Sequence, residues 1–276
     1  VTGQLVEDLD ETAYHAHPAL SSTGARLLLE APARFDHNRR HPRPDTKSFD
    51  VGTAAHSKVL GVGSEVVAYP DDVLAVNGAA STAAAKAFAA DARALGQTPV
   101  KAADARAVDA MAEAVLRHPV ARQLLEAEGA SEVSAFAIDP ITGVEVRARI
   151  DRLTADRSAM IDLKTTDDAS RDGFAKTVAK YRYDVQDAWY EDVLAIIEGS
   201  APRMQFVVVE KSAPYLVAVH SLSDEFAEIG RHGAAKARAI YAACLEHDAW
   251  PGYPAEQAEL MPPFWLTAQY MESRVA

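Results

Sequence analysis

The chain has 276 residues, 49% hydrophobic and 25% charged, which supplies a sizeable core and excludes wholesale disorder. Its formal net charge of -12 argues against a protein that coats nucleic acid by bulk charge, yet is compatible with a local basic groove beside an acidic, metal-loaded centre. The single cysteine, Cys244, excludes an intrachain disulfide framework, a cysteine-rich zinc site and a four-cysteine iron–sulfur cluster.

In chain order, the opening VTGQLVEDLDET is acidic and has none of the apolar character of a secretory signal. SSTGARLLLEAPARF predicts a short helix starting near Ser21 or Ser22, with Pro32 near its end. A basic loop is expected next, carrying Arg34, Arg39, Arg40, Arg43 and Lys47. It is the densest positive run in an acidic protein and so a candidate for phosphate contact. FDVGTAAHSKVLG predicts a second helix, begun by Asp50, stopped by Gly61 and carrying His56. A short strand at 66–69 and helices at about 79–95 and 102–128 follow, the last interrupted at Pro119. SEVSAFAID, GVEVRARIDRL and SAMIDLKTT, separated by the turn-like DPITG and TADRS, predict three antiparallel strands. Helices near 170–180 and 184–198, the strands MQFVVVEK and PYLVAVHS, and a long helix over 224–247 complete the body. The aromatics of the tail WPGYPAEQAELMPPFW are expected to pack back on it.

This order gives an α/β (α+β) class with a central mixed sheet flanked by helices. With no linker or internal repeat, one domain is expected over 1–276. A mostly helical part with His56 runs to residue 130, a core spans 131–220, and a C-terminal helix and tail occupy 221–276. No run of about 18 apolar residues occurs, so no membrane partner is expected, and a cytoplasmic location is the simplest fit.

The chemistry concentrates in one hairpin. Val144, Val146, Ala148 and Ile150 alternate with Glu145, Arg147, Arg149 and Asp151, while Ile161 and Leu163 alternate with Asp162 and Lys164. A turn centred on Asp156 and Arg157 places Asp151 opposite Asp162. Opposed residues have Cβ atoms only about 5 Å apart, and like charges there are destabilising. Such a pair needs a compensating cation, either Lys164 or a hard divalent ion with a preference for oxygen. The bland alternative is a solvated outer face with a surface salt bridge. Gln186 and Tyr190, four residues apart, share one helix face. Glu132 reads as an outer or third acid, or simply as an exposed strand-edge residue.

In order and spacing, His56, Asp151, Asp162-Leu163-Lys164, Gln186 and Tyr190 resemble the motifs of the PD-(D/E)XK nuclease superfamily. The similarity is greatest to the branch with the nuclease domains of exonuclease VIII (RecE) and RecB. PALSSTGARLLLEAPARF, GTAAHSKVLG, IDLKTT and the WPGY…PPFW tail also resemble the RecE-like group. Ile150 stands where the superfamily's name has proline, and Asp162 where it has glutamate in many members. The resemblance implies a restriction-endonuclease-like core with an antiparallel catalytic hairpin. It implies Mg²⁺ or Mn²⁺ held by His56, Asp151, Asp162 and the Leu163 carbonyl. Lys164 would position the attacking water, and Gln186 and Tyr190 would touch the DNA backbone near the cut. The implied activity is that of an exonuclease on linear double-stranded DNA ends, making single-stranded tails for recombination in a phage or prophage setting. A ring-shaped homo-oligomer and a single-strand-annealing recombinase partner are implied by the resemblance alone. An endonuclease or single-strand-specific nuclease of the same fold, a non-catalytic module on the same scaffold, and a small-molecule metal hydrolase are the alternatives.

Overall fold

A computed structural model describes residues 3–41, 51–62 and 65–273. β1 (Gly3–Val6), α1 (Glu11–Ala16), β2 (Leu20–Ser21), α2 (Ser22–Glu30) and α3 (Pro32–Arg40) come first. They are followed by α4 (Val51–Leu60), β3 (Val66–Ala68), α5 (Ala83–Ala94), β4 (Thr98–Val100), α6 (Ala102–Arg117) and α7 (Pro119–Glu126). The centre holds β5 (Gly129–Ile138), β6 (Glu145–Thr154), β7 (Met160–Thr166), α8 (Arg171–Tyr181) and α9 (Tyr183–Glu198). Last come β8 (Met204–Glu210), β9 (Val217–His220), α10 (Asp224–His247) and α11 (Phe264–Ser273).

The main sheet runs β1-β5-β6-β7-β8-β9, with β2 added on β6, and β3 pairs with β4 apart from it. β5, β6 and β7 are antiparallel neighbours, whereas β7 and β8 are parallel and joined through α8 and α9. The sheet is therefore mixed, as the element order requires. β7 and β8 are covered on both faces. Met160, Phe206 and Val208 pack with Trp189 and Val193 of α9, while Ile161, Leu163, Val207 and Val209 pack with Ala55 of α4 and Met111 of α6. Double burial explains their near-continuous apolar sequence. It also overturns the solvated outer face, because Asp162 sits inside this layer with its side chain 2% exposed.

α9 is the central helix. Trp189 is fully buried and its indole N–H donates to the Arg147 carbonyl at 3.0 Å, tying α9 to β6. Burying such a ring is worth about 3 kcal/mol. α10 lies directly on α9: a Cβ at Gly230 would come within 2.1 Å of the Asp184 carbonyl oxygen, so only glycine permits this approach.

The structure corrects several expectations. Pro32 begins a helix instead of ending one: Ala31 is extended, Pro32 takes the first position of α3, and Arg34, Arg39 and Arg40 are helical. The expected basic loop is thus a helix as far as it is described, and Arg43 and Lys47, like Asp50, lie outside the described residues. β1, which pairs with β5, has no counterpart in the sequence reading. The tail divides. Trp250 does pack on Phe35 and Tyr241, but Phe264 and Trp265 begin α11 with their rings exposed.

Candidate active site

β6 serves two partners on one edge. Its first half pairs with β2, at Leu20 with Val146 and Ser21 with Arg147. Its last residues pair with β7, at Arg152 with Ile161 and Leu153 with Met160. Between these pairings the edge forks, and Asp151 stands in the fork. The β6–β7 register is the one the hairpin predicts, and Arg157 supplies the left-handed turn residue with φ 59°. The ladder nevertheless stops one pair short of Asp151 and Asp162. The physical reason is that Asp151 Oδ2, at 2.7 Å, takes the Leu163 N–H.

The two acids are separated by their partners. The same Asp151 oxygen lies 2.8 Å from His56 Nε2 on α4. Asp162 Oδ1 accepts from Gln186 Nε2 at 2.5 Å, and its Oδ2 lies 2.5 Å from Lys164 Nζ. The structure thus answers the like-charge problem by giving each carboxylate its own partners, His56 and the Leu163 N–H at Asp151, and Lys164 and Gln186 at Asp162. Burial opposes ionisation of Asp151, but His56, Lys164 and the Leu163 N–H outweigh it and hold its pKa below the usual carboxylate range. Burial dominates at Asp162; the neighbouring Asp151 charge adds to it, and together they raise that pKa in spite of Lys164. Burial would lower His56 and Lys164, yet the carboxylates facing them leave both raised. The four side chains thus form one coupled network in which the carboxylates favour the protonated forms of the imidazole and the ammonium.

The sequence reading set Glu132 aside as a third acid or an exposed strand-edge residue; the structure brings it in. It has a φ of 54° and no ladder pair between Ser131 and Val133, and one ligand atom each from His56, Glu132 and Asp151 lies within 4.8 Å of the others. Arg149 holds Glu132 at 2.5 Å. No local pattern marks a left-handed glutamate inside a strand, so alternation alone could not have found it. Gln186 is buried at 5% exposure and grips Asp162, which places it behind the acid and not on an open surface. Tyr190 is also buried. It is hydrogen-bonded to Ser22, and burial pushes its hydroxyl well above the ordinary tyrosine pKa.

These groups open onto a cleft of about 1370 Å³, lined by Ser21, Ser22, His56, Glu132, Arg149, Asp151, Lys164, Tyr183 and Tyr190 among others. Of the arginines proposed for phosphate contact, Arg39 reaches this cleft. All three are already paired: Arg34 with Glu30 and Tyr253, and Arg39 and Arg40 both with Asp36.

The donor set fits a divalent cation. It consists of imidazole nitrogen and carboxylate oxygens, with the Leu163 carbonyl nearby in sequence, and Asp162 Oδ2 is buried without a well-angled hydrogen bond. His56, Glu132 and Asp151 converge directly, whereas Asp162 is engaged by Lys164 and Gln186.

One solved structure shares this fold. The chain is similar to the crystal structure of a candidate exonuclease from Eubacterium rectale. The TM-score is 0.58 at 12% identity, over 96% of this chain and 98% of that one. A phage related exonuclease from Haemophilus somnus 129PT is matched over 73% of this chain and 97% of that one, at 13% identity and a TM-score of 0.33. No curated protein matches. The family model described as a PDDEXK-like domain of unknown function (DUF3799) matches residues 21–262, which take in every one of these site residues, and the chain belongs to that family.

Proposed function

We propose that the protein is a divalent-metal-dependent deoxyribonuclease, acting as an exonuclease on linear double-stranded DNA. The observation that carries the proposal is the meeting of His56, Glu132 and Asp151 with the Asp162–Lys164 pair at the fork of β6. His56, Glu132, Asp151 and Asp162, with the Leu163 carbonyl, would hold Mg²⁺ or Mn²⁺. A divalent ion there supplies Lewis acidity toward a phosphate oxygen and a lowered pKa for water. Lys164 offers a compact positive charge for the oxyanion that develops at phosphorus. Gln186 fixes the orientation of Asp162, so its contribution is to hold the acid that faces Lys164. Asp151 keeps its charge because His56, the Leu163 N–H and the nearby Lys164 charge stabilise it, and so remains a ligand at neutral pH.

The cleft suits a polyanion better than the net charge suggests. Arg39, Arg147, Arg149 and Lys164 balance Asp10, Glu11, Glu132 and Asp151 along its walls. The N-terminus of the nine-residue α2 faces the same space through Ser21, Ser22 and Thr23, and its dipole favours phosphate. The exonuclease choice rests on the resemblance of the motifs, as do single-stranded products for recombination, a ring-shaped oligomer and an annealing recombinase partner.

Linear duplex incubated with Mg²⁺ should be digested by the unaltered protein, spared in EDTA, and spared by Asp162→Ala. Undiminished digestion by Asp162→Ala would sink the assignment. Covalently closed circular DNA should resist; its cleavage would establish an endonuclease on the same site.

A further inference from the structure

Lys164 places a positive charge beside Asp162, and the groups that aim it extend beyond that acid. Its Nζ lies over the ring of Tyr183, 4.9 Å from the centroid. Tyr183 is the first residue of α9, set at a sharp corner by Arg182, which adopts φ 56° and is fixed by Asp184 at 2.9–3.2 Å. Its ring stacks on Tyr181 at 5.8 Å and on the fully buried Phe206 at 6.3 Å, so its plane is fixed from the core side. Tyr183 lines the same cleft as Lys164 and Asp151. A lysine ammonium on a four-carbon stem has many rotamers. Asp162 alone restrains it at one point, whereas a second, face-on attraction from a fixed ring restrains its direction.

We propose that Tyr183 is a positioning residue, its ring face holding the Lys164 ammonium beside Asp162 at the cleft wall. For the task of Lys164 this rests on the nuclease reading above; the contact itself does not. Tyr183 acts through Lys164 and needs no bond to substrate. What the site requires at position 183 is therefore π-electron density, not a hydroxyl.

The test combines NMR with steady-state digestion of linear duplex. The Lys164 ε-methylene signal, assigned by its disappearance in Lys164→Arg, should lie upfield of exposed lysines because of the ring current. Tyr183→Leu should move it to the exposed position and lower kcat about thirtyfold, the size of a desolvated cation–π contact, with little change in KM. Tyr183→Phe should restore both the shift and most of the rate. Replacing Tyr183 by pentafluorophenylalanine keeps a core-compatible aromatic shape but withdraws electron density from the ring face, so it should lose rate as leucine does.

A fluorinated ring that supports the same kcat as phenylalanine would overturn the proposal. So would a Lys164 signal at the exposed position in the unaltered protein. Absence of any divalent-dependent digestion by the unaltered protein would instead overturn the nuclease reading, and the Lys164 shift would then decide the contact alone.

Discussion

Asp187 follows Gln186 on α9 and is 1% exposed, with Oδ1 lacking a hydrogen-bond partner among the described residues. Burial is the largest influence on it and the Glu191 carboxylate one turn on is the next; together they push its pKa up to about 7 from the ordinary 3.8. The folded state therefore holds a proton between about pH 4 and pH 7 that the unfolded chain has released. Stability from this group is fully present below pH 4, falls as pH rises toward 7, and is level above that. The whole displacement corresponds to about 4 kcal/mol, and the part lost between pH 4.5 and pH 8 to about 3 kcal/mol. Asp187→Asn keeps the shape, retains an oxygen for the Met204 N–H, and removes the titration. Urea unfolding of both proteins at pH 4.5, 6 and 8 should show the unaltered protein losing about 3 kcal/mol more than Asp187→Asn over that range. The variant should be the more stable of the two at pH 8. Parallel pH dependences in the two proteins would refute the reasoning.

Other outcomes follow from the packing and the site. Arg147 donates to the carbonyls of Tyr14, His15 and His17 and so ties the N-terminal segment to β6; Arg147→Leu should lower stability by about 3 kcal/mol, read as a reduced urea midpoint. Gly230→Ala places a methyl against the Asp184 carbonyl, and α10 must move off α9; a loss of about 2 kcal/mol, seen in thermal melts, is expected in spite of alanine's better helix propensity. Glu132→Gln should weaken Mn²⁺ binding by about tenfold or more in calorimetry, and an unchanged affinity would remove Glu132 from the ligand set.

Much of this molecule is written locally. The alternation through GVEVRARIDRL and SAMIDLKTT, with the turn at Asp156 and Arg157, determines the hairpin and its register, because a period of two and a turn are short-range properties. The long helix α10 and the helix carrying Gln186 are legible for the same reason. Pro32 was ambiguous by nature, since proline suits both the end of one helix and the first position of the next.

What the tertiary structure alone decided concerns groups far apart in the chain. The fork of β6 exists because β2 and β7, more than a hundred residues apart, share one edge. That fork frees Asp151 from the ladder and admits His56. The left-handed backbone at Glu132 turns a strand-edge acid into a potential ligand. Burial turns Gln186 from a surface contact into the clamp on Asp162. Local periodicity specifies which residues share a face; only long-range packing specifies what that face meets and how dry it is. The meeting of charges in a desolvated fork is therefore settled by the assembled sheet and not by any stretch of sequence within it.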